Sequence, residues 1–263
     1  MKREAFKATP IPDTPALEIA NNEKIICVGD LHIGFEAELR KKGIHVPSQT
    51  HRMHEDLTQF AKEFDRLILL GDIKHQVPGI TRQEHLEIPN FFRSLRLVYK
   101  RIDLVKGNHD GGIETFMPDG ISIHPATGIT IGNVAFFHGH TWPSDEILST
   151  DILVMSHNHP AVLFEDGLGN VQSEPCWVKA SPTNKIDEFY DTFPKEIILM
   201  PAFNRMLGGS PINVCESGLL GPLFTNNLID LDNAEVYLLD GVKLGRVRDI
   251  TVSCRNRRSS SSR

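Results

Sequence analysis

The chain has 263 residues, 40% of them hydrophobic and 24% charged, with a formal net charge of -6. This is an ordinary globular composition. No apolar run approaches the ~18–20 residues of a membrane span, no hydrophobic segment follows the basic start MKREAFKATP to make a secretory signal, and the acidic balance argues against bulk electrostatic binding of nucleic acid while leaving room for a local basic groove. The expectation is a cytoplasmic protein with no membrane partner. Cys27, Cys176, Cys215 and Cys254 are widely spaced without a C-x-x-C pair and read as reduced thiols.

In chain order, ATPIPDTPALEIA (8–20) is a proline-rich lead-in that turns strand-like. KIICVG (24–29) reads as a buried strand and runs into GDLH. Arg40, Lys41 and Lys42 follow; they read either as a solvated helix end closed by Gly43 or as contacts for a phosphate backbone. In SQTHRMHEDLTQFAKEF (48–64), Met53, Leu57, Phe60, Ala61 and Phe64 recur at helical spacing on one face. RLILLG (66–71) is a second buried strand, ending in GD. Thr81 and Glu84 form a capping-box pattern, and Pro89 is expected to break or restart the helix it opens. RIDLVKG (101–107) ends in GNHD, NVAFFHG (133–139) in HGH, and DILVMS (151–156) in SHNH.

Strands alternating with helices imply βαβ units and a parallel or mixed sheet. Beyond residue 160 the pattern changes. VLFEDGLGNVQ predicts a hairpin around Asp166–Gly167, and CWVKA, EIILMPAF, AEVYLLD and KLGRV predict further strands in a second, more antiparallel sheet. With no linker in view, residues 1–250 are expected to form a single domain. Residues 251–263 form a basic, serine-rich tail expected to be disordered.

Each of the five apolar strands delivers polar side chains at its C-terminal end. These are Asp30 and His32; Asp72; Asn108, His109 and Asp110; His138 and His140; His157 and His159. In a parallel sheet such ends share one edge, the usual site of chemistry in α/β proteins. Carboxylate, imidazole and amide oxygen together suit divalent Mn, Fe or Zn better than Ca or Mg, and the lack of cysteine argues against a structural zinc site. The ligands are too many for one ion. Seven of them sharing a bridging carboxylate fit two ions about 3.5–4 Å apart, able to activate water near neutral pH and to stabilise a phosphoryl group in an in-line displacement.

The ordered set GDLH, GD, GNHD, HGH and SHNH, spanning residues 29–159, resembles the calcineurin-like metallophosphoesterase superfamily. The resemblance implies an α/β fold, a four-layer α/β/β/α sandwich with two mixed sheets, whose active site lies at the C-terminal ends of the strands. It also implies two divalent metal ions, with Mn2+ favoured over Zn2+ or Fe. By position, Asp30, His32 and His159 are expected to hold one ion, and Asn108, His138 and His157 the other, with Asp72 bridging. His109 is expected as the general acid, with Asp110 fixing its orientation. Two positions depart from the pattern: Ser156 replaces a usual glycine and is expected to matter little, and His75 in GDIKH stands where many members carry Asp, as a substrate contact or a bystander.

GDLHIGFEAELRKKGIHVPSQT and MPAFNRMLGGSPIN are further similar to archaeal Mre11/SbcD-related phosphoesterases and to bacterial ligase-associated DNA phosphoesterases. That likeness implies a nuclease or phosphodiesterase acting on nucleic acid or a nucleotide, a role in DNA repair, and a helicase partner. Candidate substrate contacts are His75, His140, and Asn204 or Arg205 in the glycine-rich PAFNRMLGG (201–209), a stretch that reads equally as a structural turn; Trp142 reads as a packing residue or as a surface for base stacking. His45, His51, His54, His85 and His124 read as surface or packing residues. The competing readings are a phosphomonoesterase or cyclic-nucleotide phosphodiesterase, and a non-catalytic adaptor that keeps metal only for folding.

Overall fold

The structure is a computed structural model that describes residues 6–20, 23–214 and 218–252. Cys215, Cys254 and nearly all of the basic tail lie outside the described residues.

The lead-in segment forms a hairpin, β1 (Lys7–Pro10) and β2 (Leu17–Ala20), that pairs antiparallel onto β3 (Lys24–Gly29). From β3 the chain passes through α1 (Phe35–Lys41) and α2 (Thr50–Phe60) to β4 (Arg66–Leu70), then through α3 (Arg82–Leu95) to β5 (Arg101–Val105) and β6 (Ser122–His124). β3, β4, β5 and β6 are parallel, so the first sheet runs β1-β2-β3-β4-β5-β6. The near-continuous apolar runs of β3 and β4 are explained by this placement, since a central parallel strand is covered on both faces.

The second sheet begins with β7 (Ile129–Ile131), β8 (Val134–Phe137) and β9 (Ile152–Met155). It continues with β10 (Pro160–Glu165), β11 (Val171–Pro182), β12 (Glu196–Leu199), β13 (Ser210–Pro211), β14 (Ile229–Leu238) and β15 (Lys243–Arg246), with the four-residue α4 (Pro222–Thr225) between β13 and β14. Its path is β13-β10-β11-β12-β9-β8-β7, with β14 and β15 extending from β11. β8, β9 and β12 are parallel and most other pairs antiparallel, which makes this sheet mixed as well. The five ligand-bearing strands are therefore divided, three in the first sheet and two in the second.

Three apolar layers hold the sandwich together. Met53, Leu57, Ile88, Phe91 and Phe92 pack α2 and α3 on the outer face of the first sheet. Ile25, Ile68 and Leu70 meet Phe136, Val154, Trp177 and Ile198 between the sheets. On the far face, Ile147, Ile186, Leu223 and Val247 from short helical turns cover Phe137, Leu153 and Val178. The order is α/β/β/α, with the last layer reduced to short turns.

The predicted face of α2 is the buried one, and the hairpin of β10 and β11 turns at Asp166, whose Oδ1 accepts from the Leu168 and Asn170 amides. One expectation needs correcting. Pro89 neither ends nor restarts a helix: α3 runs through it. Proline removes one N–H on the partly exposed side, while burial of Ile88, Phe91, Phe92 and Leu95 on the other side carries the helix past it. No helix among the described residues is long and apolar enough to cross a membrane.

Candidate metal centre

Register brings the strand ends into line. Gly29 pairs with Leu70 and Leu70 with Val105 in the first sheet; Phe137 pairs with Met155 and Met155 with Leu199 in the second. The two lines are tied across the sandwich. Ser156 Oγ donates to the Leu70 carbonyl at 2.6 Å, and the His157 amide donates to Asp30 Oδ2 at 3.1 Å. Polar ends of five strands from two sheets thus meet in one place.

Asp30, His32, Asp72, His157 and His159 all have positive φ, from 42° to 72°. Asp13 and Asn227 are the other non-glycine residues of this kind among those described. Such backbone costs of order 1–3 kcal/mol per residue and persists where the surroundings dictate it, most often at functional sites. The dictating bonds are visible: the Asp30 and His32 amides donate to Gly71 O and Asp72 O, and the His109 amide donates to Asp72 Oδ1 at 2.9 Å. Gly71 (φ 77°) is needed for a second reason, because a Cβ there would lie 2.2 Å from His138 Nδ1.

Three groups of potential ligand atoms result among the described residues, the atoms of each lying within 4.8 Å of one another: Asp30, His32 and His159; Asp72, His138 and His157; and His32, His75 and His109, which shares His32 with the first. Asn108 joins the second group, with its Oδ1 3.2 Å from His138 Nε2. Asp72 Oδ2 lies between the first two groups, 3.4 Å from both His32 Nε2 and His138 Nε2. Asp30 Oδ1, His32 Nε2 and His159 Nε2 are buried atoms without a hydrogen-bond partner. Buried polar atoms are normally satisfied, and these three are the converging atoms of the first group. The donor set therefore fits a divalent cation by chemistry and by its unmet bonding capacity.

Electrostatics divide the imidazoles: His32, His140 and His157 are pushed toward the neutral form, while nearby carboxylates raise His138 and His159. Burial opposes charge on Asp30 and Asp72, but His159 and His138 hold Asp30 below its ordinary value, and His138 and His32 hold Asp72 far below it. Burial lowers His32 to about 3, and burial with His138 lowers His157 and His140 to about 4, leaving neutral imidazoles with free lone pairs. Burial also works against charge on His138, yet Asp72 and Asp30 lift it to about 9.

His109 is partly exposed; its Nδ1 lies 2.5 Å from the His75 carbonyl, so this nitrogen carries the proton and Nε2 faces Asp72 Oδ2 at 3.9 Å. Asp110 does not orient that ring as expected. It is fully buried, and its two oxygens accept from the Ile73 and Gly107 amides at 2.8 Å, joining the loops that carry Asp72 and Asn108. Burial and Asp72 raise it to about 6.

The substrate candidates divide. His140 lies beside the centre, its ring 5.2 Å from His138, with Nδ1 buried and without a partner. His75 stacks on His109. Asn204 is buried and bonded to the Leu31 carbonyl and the Met206 amide, so it ties its loop to the Asp30–His32 turn rather than facing substrate. Arg205 reaches away to the Asp13 carbonyl. Gly43 closes α1, and Lys41 meets Gln76 near the His75 loop.

Three residues support the site in ways that no local motif marks. Ser156, expected to matter little, hydrogen-bonds Leu70 O and lies 2.9 Å from His138 Nδ1, so it steadies that imidazole. Asn158, between the two histidines, points the other way and clamps the backbone of Leu220 through both ends of its amide. Glu84 caps α3 and also accepts from the His75 and Gln76 amides.

Residues 23–192 match the protein family described as calcineurin-like phosphoesterase. Among solved structures, a nuclease MPE from Pseudomonas putida is similar at 17% identity and a TM-score of 0.52, over 89% of this chain and 98% of that one. The phosphoesterase YfcE from E. coli is similar at 16% identity and a TM-score of 0.39, over 84% and 97%. No curated protein sequence matches the chain.

Proposed function

Because the chain belongs to the calcineurin-like phosphoesterase family and is a hydrolase of phosphoric esters, we propose that it is a binuclear-metal phosphodiesterase acting on nucleic acid or nucleotides. The observation that carries this reading is the position of Asp72 between two ligand groups, with His109 Nε2 facing the same carboxylate. Asp30, His32 and His159 would hold one cation and Asn108, His138 and His157 the other, with Asp72 shared. When bound, two such ions would supply Lewis-acid activation of water and of the phosphoryl group; the mixed nitrogen and oxygen donors suit Mn2+, Fe or Zn2+, and Mn2+ is the ion favoured by the family resemblance.

The chain's own residues do the rest. The carbonyl of His75 accepts from Nδ1 of His109 and keeps the ring aimed inward; as the imidazolium, His109 gives its Nε2 proton to the departing ester oxygen and is left neutral with the Nδ1 proton in place. Asp110 holds the loops of Asp72 and Asn108 at a fixed spacing. A nucleic-acid or nucleotide substrate is favoured by the stacked, partly exposed pair Trp142 and Phe189, of which Trp142 stands two residues beyond His140; the pair offers a flat apolar face to a base. The similar Pseudomonas putida structure is that of a nuclease, which agrees with this choice. A cytoplasmic DNA-repair role beside a helicase extends the reading on the family resemblance alone.

The test is metal analysis of the purified protein together with paired assays on bis- and mono-p-nitrophenyl phosphate, then on single- and double-stranded DNA. Two ions per chain and Mn2+-dependent diester hydrolysis, lost in Asp72→Asn, are expected. Monoester turnover exceeding diester turnover by orders of magnitude would make the protein a phosphomonoesterase instead. A chain that binds both ions yet hydrolyses neither would be an adaptor.

A further inference from the structure

His75 does not hold a place in the ligand set proposed above, yet the fold fixes it with unusual completeness. Its backbone N–H donates to Glu84 Oε1 at 2.8 Å. The Phe35 ring meets its ring edge-on with centroids 5.1 Å apart, and the His109 ring stacks on it at 5.7 Å. Both of its ring nitrogens are engaged. Nε2 lies 2.6 Å from Glu38 Oε2, and Nδ1 lies 3.2 Å from Nδ1 of His32. The other nitrogen of His32, Nε2, is the buried atom without a partner beside Asp30 and Asp72.

From this chain of contacts we infer that Glu38, acting through His75, sets the tautomer of His32 and so makes its Nε2 available to a cation. Resting on the metal reading given above, the inference names two positioning residues for that site.

With both imidazoles neutral, the state the mildly alkaline measurement below selects, the proton inventory allows two polarities. An ionised carboxylate only accepts hydrogen bonds. Glu38 therefore requires the proton of His75 on Nε2, which leaves His75 Nδ1 as an acceptor. His32 must then donate from Nδ1, and its Nε2 is left with a free lone pair. In the reverse polarity His75 donates from Nδ1 and turns a bare Nε2 lone pair toward the carboxylate, a repulsive contact. His32 would then carry its proton on Nε2 and could not bind a cation. One accepting group two imidazoles away thus decides which end of His32 is bare. Lys42 and His75 hold the Glu38 carboxyl down to about 2, so it remains an acceptor throughout the working range. Outer partners of this kind orient metal-binding imidazoles and typically contribute about 10–100-fold in metal affinity.

The experiment compares wild type, Glu38→Gln and His75→Ala by two readouts. The first is the imidazole nitrogen spectrum of His32 by NMR in metal-free protein at mildly alkaline pH. The second is calorimetric titration with Mn2+. Wild type is expected to hold His32 with its proton on Nδ1. In Glu38→Gln, whose amide can also donate, the Nε2-protonated form should emerge. His75→Ala should weaken one of two Mn2+ sites by about 10–100-fold and leave the other unchanged, with Glu38→Gln smaller in the same direction.

The inference is overturned if His32 carries its proton on Nε2 in wild type, if Glu38→Gln leaves the spectrum unchanged, or if both variants keep both affinities within about twofold. A third Mn2+ equivalent lost in His75→Ala would overturn it too, since His32, His75 and His109 nitrogens also lie within 4.8 Å of one another and His75 would then be a ligand itself. Wild type that binds no Mn2+ would sink the metal reading, and the metal-free spectrum would still decide the tautomer.

Discussion

At the scale of single residues, the centre depends on small groups held where they would not otherwise sit. His109 is anchored through one ring nitrogen to the His75 carbonyl and presents the other beside Asp72. Its removal should cost acid–base help and little else. His109→Ala is expected to lower kcat by about 10²–10⁴ while Mn2+ binding, followed by calorimetry, stays at two equivalents. Gly71 is the opposite case, a residue with no chemistry whose lack of a side chain makes room for a ligand. A methyl group there would sit 2.2 Å from His138 Nδ1 on a backbone at φ 77°. Gly71→Ala is therefore expected to displace His138, and titration should find the Asn108–His138–His157 site weakened at least as much as by a lost outer partner, about 10–100-fold.

At the scale of elements, α3 is more than a cover for the sheet. Thr81 and Glu84 cap its first turn reciprocally, and the same Glu84 carboxylate accepts from the amides of His75 and Gln76. Thr81→Ala should cost the ordinary price of a cap, about 1 kcal/mol in denaturant unfolding. Glu84→Ala removes a buried carboxylate and leaves the half-buried His75 and Gln76 amides without their acceptor; it is expected to cost more, about 2–4 kcal/mol, and to reduce turnover through the His75 loop.

A second cluster joins β4, β5 and β6. Arg66 Nε donates to Asp103 Oδ2 at 2.8 Å, and His124 Nε2 lies 2.7 Å from Oδ1. Burial pushes the Asp103 carboxyl up, but the His124 and Arg66 hydrogen bonds outweigh it and hold the group below its usual 3.8. The folded chain then binds this proton less readily than the unfolded chain. Its stabilisation is complete above the unfolded value and is lost as pH falls through the lower folded one. Asp103→Asn should lose about 1–3 kcal/mol near neutrality. The gap to wild type, measured by urea unfolding, should narrow below about pH 4; a gap that widens in acid would refute this account.

For the whole molecule, stability and activity share the line where the two sheets meet. The proposed cation ligands come from strand ends of both sheets, and Ser156 and Asp30 bond across the same line. A cation held there binds the folded chain alone. Saturation at 100 times Kd is worth about 2.7 kcal/mol per site, so chelation should lower Tm by several degrees and Mn2+ should restore it. A Tm indifferent to chelator would mean that the ends are held together by the protein alone.

Much of this was legible in the chain itself. Apolar runs ending in GDLH, GD, GNHD, HGH and SHNH placed the strands and their chemistry, because a buried strand and a sharp polar turn each leave a local mark. The roles of Asn204, Asp110 and Pro89 are not legible in the sequence because they depend on what lies across the fold: a carbonyl at Leu31, amides at Ile73 and Gly107, a core that carries α3 past a missing N–H. Sequence by itself determined which residue types arrive at the strand ends, since burial periodicity and ligand chemistry are local properties. Only the tertiary structure decided that two sheets share the site, that Glu38 and His75 stand behind His32, and that Ser156 stands behind His138. Those contacts join residues far apart in the chain, and the hydrogen-bond direction that gives them meaning exists only once the partners are side by side.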